Sequence, residues 1–275
     1  QIAEGMALAG QAYELDSADP EIQTLLAYGH LSLGNYDEAE KWIDEALGND
    51  PEVGFALGVK GLILAAQGKS EAAKVLALRA LDPKTGAKNF RFGGDNMLLR
   101  LAYSGAVPWS AATSAAYQRH WPALFQFQAA GDIWSATNGA TTSPAGRAAV
   151  DYIAHLKADG RDDEAKALAQ WLRQNVRPTQ FFTIVGNPLF FAELAMVEGD
   201  EARALQVIEN EVADGFAWCW QWRLRDNPWF APLKDTPRFK AALAGVAGNV
   251  ARQKAKYAEM NTRDENGRAW GRERE

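Results

Sequence analysis

The chain has 275 residues, 47% apolar and 23% charged, with a formal net charge of −6. This is enough for one elongated domain or two compact ones. The acidic balance argues against nucleic-acid binding through phosphate neutralisation, which needs a basic face.

No run approaches the roughly 20 apolar residues that span a bilayer. No secretory signal is present. Residue 1 is Gln rather than Met, so the chain is expected to be processed or to be part of something longer. The single cysteine, Cys219, permits neither an internal disulfide nor a Cys/His zinc cluster. A cytoplasmic location is expected, or a periplasmic one if a membrane anchor precedes the chain.

The dominant signal is a recurring phrase. Gly34, Gly68, Gly160 and Gly199 each end an apolar, helix-like stretch, and each is followed five residues later by alanine: Ala39, Ala73, Ala165 and Ala204. Gly34 and Gly68 are 34 residues apart, a period of helical hairpins. Each glycine suits the left-handed residue that ends a helix. Asn35, Ser70, Asp162 and Asp200 are placed to cap the next helix. Acids collect in the following turn, as in Asp37-Glu38 and Asp163-Glu164, at the positive end of the helix dipole. Each alanine keeps the second helix thin where it crosses the first. Ala27, Gly61 and Ala192 do the same on the first helix.

The first helices are expected to open at Asp19-Pro20, Asp50-Pro51, Ser143-Pro144 and Asn187-Pro188, a capping residue followed by proline at the first helical position. No run shows the two-residue alternation of a sheet. The chain therefore reads as all-α.

The segment PEIQTLLAYGHLSLGNYDEAEKWIDEALGNDP resembles a tetratricopeptide repeat. Ala27, Gly34, Tyr36, Ala39, Ala46 and Pro51 carry the resemblance. Gln23 and His30 depart from it, standing where Trp and Tyr are usual. Residues 1–19 resemble the closing helix of a preceding repeat. The resemblance implies a right-handed α-α superhelix of degenerate hairpins. Four stretches are expected within one continuous superhelical domain: repeats over 1–83, an irregular aromatic-rich helical segment over 84–143, degenerate repeats over 144–245, and a terminal helix and tail over 246–275.

Residues 84–143 break the rhythm. Tyr103, Trp109, Trp121 and Trp134 lie in this stretch. They either fill a wider core or line a small-molecule pocket. The run NGATTSP at 138–144 reads as an exposed loop. Near the end, Leu243, Val246, Val250, Tyr257 and Met260 recur at helical spacing, with Gln253 interrupting them. The stripe either caps the stack or forms a dimer seam.

The closing region is also similar to the C-terminal repeat region of bacterial multidomain proteins that carry adenylate cyclase or winged-helix domains. Gly215, Asp226-Asn227-Pro228-Trp229-Phe230, Leu233, Asp235-Thr236-Pro237-Arg238-Phe239 and Ala251-Arg252-Gln253 carry this second resemblance. It implies a sensory or scaffolding module attached to an effector, with no catalytic residue of its own.

No nucleophile elbow or phosphate loop is present. His30, His120 and His155 are far apart, and none pairs with an acid at metal-ligand spacing. No cofactor is expected. Cys219, among Trp218, Trp220 and Trp222, reads as a packed thiol. The inner face of the first hairpins carries Thr24, Tyr28, Leu31, Phe55 and Leu62. It lacks the Lys/Asn/Arg clamp for a peptide carboxylate. That face either binds an apolar segment of a protein or peptide partner, or is covered by the chain's own helices. A non-enzymatic interaction module is expected, with a small-molecule sensor as the alternative. The oligomeric state is not legible.

Overall fold

The computed structural model describes residues 2–81, 150, 152–154, 156–175 and 189–261. Among the described residues there is no strand. Five helices lead: α1 (Ile2–Leu15), α2 (Pro20–Ser32), α3 (Tyr36–Asn49), α4 (Gly54–Ala66) and α5 (Ser70–Leu81). Residues 152–154 and 156–158 are helical. Then come α6 (Asp162–Asn175), α7 (Phe190–Glu198), α8 (Glu201–Ala213), a π turn (Gln221–Arg225), a 3-10 turn (Pro228–Leu233) and α9 (Pro237–Met260). The aromatic stretch of 84–143, with Tyr103, Trp109, Trp121 and Trp134, lies outside the described residues. So do Ser143-Pro144, Asn187-Pro188 and the loop at 138–144.

The fold is an all-α helical repeat. Helices pair as hairpins, α2 with α3, α4 with α5 and α7 with α8, and α4 packs back onto both α2 and α3. The turns repeat one geometry. Gly34 has φ +74°, and Asn35 N–H reaches back to His30 O at 2.9 Å while Gly34 N–H reaches Leu31 O at 2.9 Å. Two carbonyls at the end of α2 are thereby satisfied, by a residue with no Cβ to oppose the left-handed turn. The same two bonds recur around Gly199, from Asp200 N–H to Ala195 O at 2.9 Å and from Gly199 N–H to Met196 O at 3.0 Å. The alanines that follow, Ala39, Ala73, Ala165 and Ala204, are all buried, as are Ala27 and Ala192 opposite them. Small side chains at these positions bring the paired helices close enough to share one core.

Four caps differ from the sequence expectation: besides Asn35 and Asp50, Ser70 and Asp162 are the first residues of α5 and α6, behind Lys69 and Arg161, whose carbonyls accept from Ala73 N–H and Ala165 N–H at 3.0 Å. Asp19 caps α2, its Oδ1 accepting from Glu21 N–H at 2.7 Å and Ile22 N–H at 3.3 Å. Asp200 caps α8 through Arg203 N–H at 3.0 Å. Asn35 stands at the start of α3 but makes no side-chain cap; its amide turns to the His30 ring, 3.5 Å away. Asp50-Pro51 does not open α4. Proline keeps the residue before it out of the helical region, and Asp50 sits extended at φ −144°, ψ 103° as the end of α3. Its carboxylate accepts from Glu52 N–H at 2.9 Å in a connecting turn, and α4 begins at Gly54 behind Val53.

The last helix closes the described chain on itself. α9 packs on α8 at one end and on α1 at the other. Phe239, Ala242, Val246 and Val250 are buried inside this chain. Gln253, the polar interruption of the stripe, has a partner 250 positions away: its Oε1 accepts from Ala3 N–H at 3.2 Å, one of the first amides of α1 that no helical carbonyl can reach. Lys256 donates to Glu4 Oε1 at 2.6 Å, and this bond holds the Glu4 carboxyl down at about 2. The Tyr257 ring meets His30 edge to face, 5.7 Å between centroids. Burial pulls the His30 imidazole below its ordinary range, because desolvation disfavours the charged ring.

The α8–α9 contact makes a paired prediction. A Cβ added at Gly245 would lie 2.6 Å from Val212 Cγ1, a short, stiff side chain that cannot swing away. At Gly248 the nearest atom is 3.7 Å away, at the far end of Arg252. Gly248→Ala is expected to stabilise the protein by about 0.5–1 kcal/mol through helix propensity. Gly245→Ala is expected to destabilise it by about 1 kcal/mol, because overpacking outweighs the same propensity gain. Urea unfolding of the two variants side by side checks the opposite signs.

Candidate functional site

Residues nominated from the sequence lie on one side of α2 and α4, and the chain's own C-terminal segment comes to meet them. Tyr28 is the junction. Its ring stands edge-on to Phe55, 6.1 Å between centroids, and to Trp218, 4.8 Å. Tyr28 is half-buried overall, but its hydroxyl end is enclosed against Cys219 and Arg223. Desolvation there pushes the phenol above the ordinary tyrosine range. Thr24, Leu31, Phe55 and Leu62 are buried. The Thr24 hydroxyl donates to Pro20 O at 2.6 Å within its own helix.

The segment from Phe216 to Leu224 supplies the cover. Gln221 Nε2 donates to Leu31 O at 2.9 Å. Cys219 Sγ lies 3.5 Å from Ser32 Oγ, whose oxygen also contacts Tyr28 O at 2.9 Å. These bonds join positions almost 190 residues apart and lie in a buried environment, where an amide left without a partner costs about 1–3 kcal/mol. In this conformation the inner face at Tyr28, Leu31 and Ser32 is filled by the chain itself.

The segment bends sharply to do this. Cys219 has φ +52°, the one non-glycine in the left-handed region among the described residues. Such a backbone costs about 1–2 kcal/mol. The π turn follows directly, with Asp226 N–H bonded to Gln221 O at 2.6 Å. Burial pushes the Cys219 thiol up, away from the reactive thiolate. Here it packs.

The bridge between Asn227 and Glu193 escaped the sequence reading. Glu193 in α7 and Asn227 at the head of the 3-10 turn are both fully buried. Asn227 Nδ2 donates to Glu193 Oε1 at 2.8 Å and to Arg223 O at 3.1 Å, while its Oδ1 caps the turn through Trp229 N–H at 3.0 Å. The dipeptide Asn227-Pro228 signalled the cap, but nothing local signalled the carboxylate.

Among the described residues, two clefts open at the surface. One, of about 280 Å³, lies between α6, α7 and the side chains of Ile153 and Lys157. Two of its three cations serve the fold: Lys157 Nζ donates to Val197 O at 2.6 Å, and Arg173 pairs with Glu198. The other, of about 210 Å³, runs between α1 and α9 over Leu26 and Trp42. Neither gathers an acid/base pair positioned on a common reacting atom. Among the described residues no group of three or more His, Cys, Asp or Glu side chains gathers where it could hold a metal ion. No described helix is long and apolar enough to cross a membrane.

The tetratricopeptide repeat family model matches residues 1–54, the stretch that folds as α1 to α3 and the turn before α4. No curated protein and no solved structure gives a match.

Proposed function

We propose that this chain is a non-enzymatic protein-interaction module, the sensory or scaffolding part of a bacterial signalling protein. The observation that carries the reading is the tetratricopeptide repeat match over α1 to α3, a repeat that generally mediates protein–protein contact. The use of the buried polar groups supports it. Asn227, Glu193, Gln221 and Ser32 are tied into helix ends and turns. The likeness of about residues 187–256 to the repeat regions of bacterial multidomain regulators supports the signalling context. Such a module recognises its partner through preformed helical surfaces with apolar anchors and few fixed polar contacts.

The test is affinity capture from a bacterial extract, then calorimetry with the purified candidate. One saturable protein partner per chain, with no turnover of the partner, is the expected result. A small metabolite that raises the melting temperature, with no protein that binds saturably, would overturn the reading in favour of a small-molecule sensor.

A further inference from the structure

We infer that the last turns of α9 form an acid-released clasp, shut on α2 at the His30 ring and opened when that ring takes a proton. The clasp goes beyond the interaction-module reading and does not depend on it.

α9 is held unevenly along its length. Its buried residues, Phe239, Ala242, Val246, Asn249 and Val250, all lie before residue 251. From 251 to 260 no residue is buried, and Gln253, Tyr257 and Met260 are half-buried. Polar and aromatic contacts hold this stretch. Gln253 accepts from Ala3 N–H at 3.2 Å, Lys256 pairs with Glu4 at 2.6 Å, and Tyr257 meets His30. The ion pair is about half exposed on both sides, and such pairs hold little. The ring contact is the drier one, because His30 is 8% exposed. The tip can therefore lift while the apolar stripe before it stays seated.

The His30 site suits one protonation state. The Asn35 amide nitrogen approaches Nδ1 at 3.5 Å, and an amide NH2 only donates, so Nδ1 is the acceptor there. Tyr257 stands edge-on to the ring, with 87° between the planes. A proton on Nδ1 sets donor against donor at Asn35 and places a charge in a dry contact. The surrounding groups compensate little. From α3, Glu38 favours the charged ring and Lys41 opposes it. From α9 comes the Tyr257 phenol, which burial pushes up, away from its charged form. From α1, the uncharged Met6 lies against the neighbouring Gly29. Desolvation outweighs the two charges and lowers the ring's pKa.

The direction of the switch follows from that. With the tip lifted, the ring meets water and takes its proton near its ordinary value of 6.5; with the tip shut it takes the proton lower. The contact is at full strength above 6.5. It weakens as pH falls from there through the lowered value, below which the loss is complete. Once charged, the ring is drawn toward Glu38, and Asn35 is freed for the N-cap of α3 that its side chain does not make here. Lifting also takes Tyr257 and Met260 out of the wall of the cleft over Leu26 and Trp42.

The test is hydrogen exchange of the full chain at neutral and at mildly acid pH, corrected for the intrinsic pH dependence of exchange and read by mass spectrometry. Amides of residues 254–260 are compared with those of 242–250 in the same sample, so a change in global stability shows in both. On acidification the tip amides of the parent are expected to lose at least about threefold more protection than the stripe amides. His30→Phe keeps a ring against Tyr257 and cannot take a proton, so the ratio is expected to stay constant although His120 and His155 still titrate. Tyr257→Ala, at a half-buried position, is expected to leave the tip poorly protected and no longer responsive to acid. A ratio that does not move in the parent overturns the clasp. So does an equal acid response in His30→Phe or in Tyr257→Ala, because another group then drives it. A tip without protection at neutral pH overturns it as well, since nothing is then shut. Loss of protection in step along the whole of α9 is unfolding rather than release, and it too overturns the clasp.

Discussion

Asn227→Asp is expected to destabilise the protein by about 3 kcal/mol at neutral pH, and to recover much of that loss in acid. The change is isosteric and replaces one NH2 by an oxygen. In the parent that NH2 bridges the fully buried Glu193 carboxylate at 2.8 Å and the Arg223 carbonyl at 3.1 Å. In the variant two carboxyl groups face each other at that separation, and both donor bonds are lost. Like charges at contact cannot both ionise, so the folded state takes up a proton that the unfolded chain binds only at about 3.9. The pair's folded pKa is raised. Its destabilisation is therefore complete above that raised value and is relieved as pH falls through it. Asn227→Leu removes the same bonds, and the cap on Trp229 N–H as well, without adding a charge, and should cost about 2 kcal/mol with little pH dependence of its own. Urea unfolding between neutral and mildly acidic pH separates the two. Equal pH profiles for the Asp and Leu variants would mean that Glu193 and residue 227 do not share the proton.

The bridge was invisible in the sequence for a reason that applies to the whole C-terminal half. Glycine turns and alanine crossings were legible because they are local. The Gly34 turn and the buried Ala39 lie within one hairpin, and their geometry follows from residues at most six positions apart. The caps were legible to the same extent: Asp19 behaves as the sequence implies, whereas Asp50 goes to the preceding helix because proline at 51 keeps it extended. The filling of the inner face was not legible. It depends on Cys219, which meets Ser32 across 187 positions, and on a left-handed bend that no glycine announces. Left open from the sequence were a partner's segment and the chain's own helices, and no local rule chooses between them. Gln253 is the sharpest case. In the apolar stripe it reads as an interruption, and in three dimensions it joins the last helix to the first.

Asn249 holds the other end of that last helix, and Asn249→Leu is expected to cost about 3 kcal/mol. Its side chain is almost fully buried. Nδ2 donates to Val212 O at 2.8 Å and to Phe216 O at 2.9 Å, one on each side of the Gly215 turn that ends α8. Leucine fills a similar volume and suits the stripe of Phe239, Ala242, Val246 and Val250 around it. A purely apolar account of α9 docking therefore expects the variant to be neutral or stabilised. The hydrogen-bond account expects a loss, because Phe216 O loses the Asn249 donor in a buried setting and Val212 O is left with Gly215 N–H at 3.1 Å. Gly245→Ala strains the same α8–α9 contact four residues earlier, at Val212. Once Asn249→Leu has loosened α9, the alanine should be tolerated better, so the double variant should be less destabilised than the sum of the two singles. Additive costs in that cycle, or a loss for Asn249→Leu below about 1 kcal/mol, would show that α9 is seated by its apolar stripe without help from the asparagine.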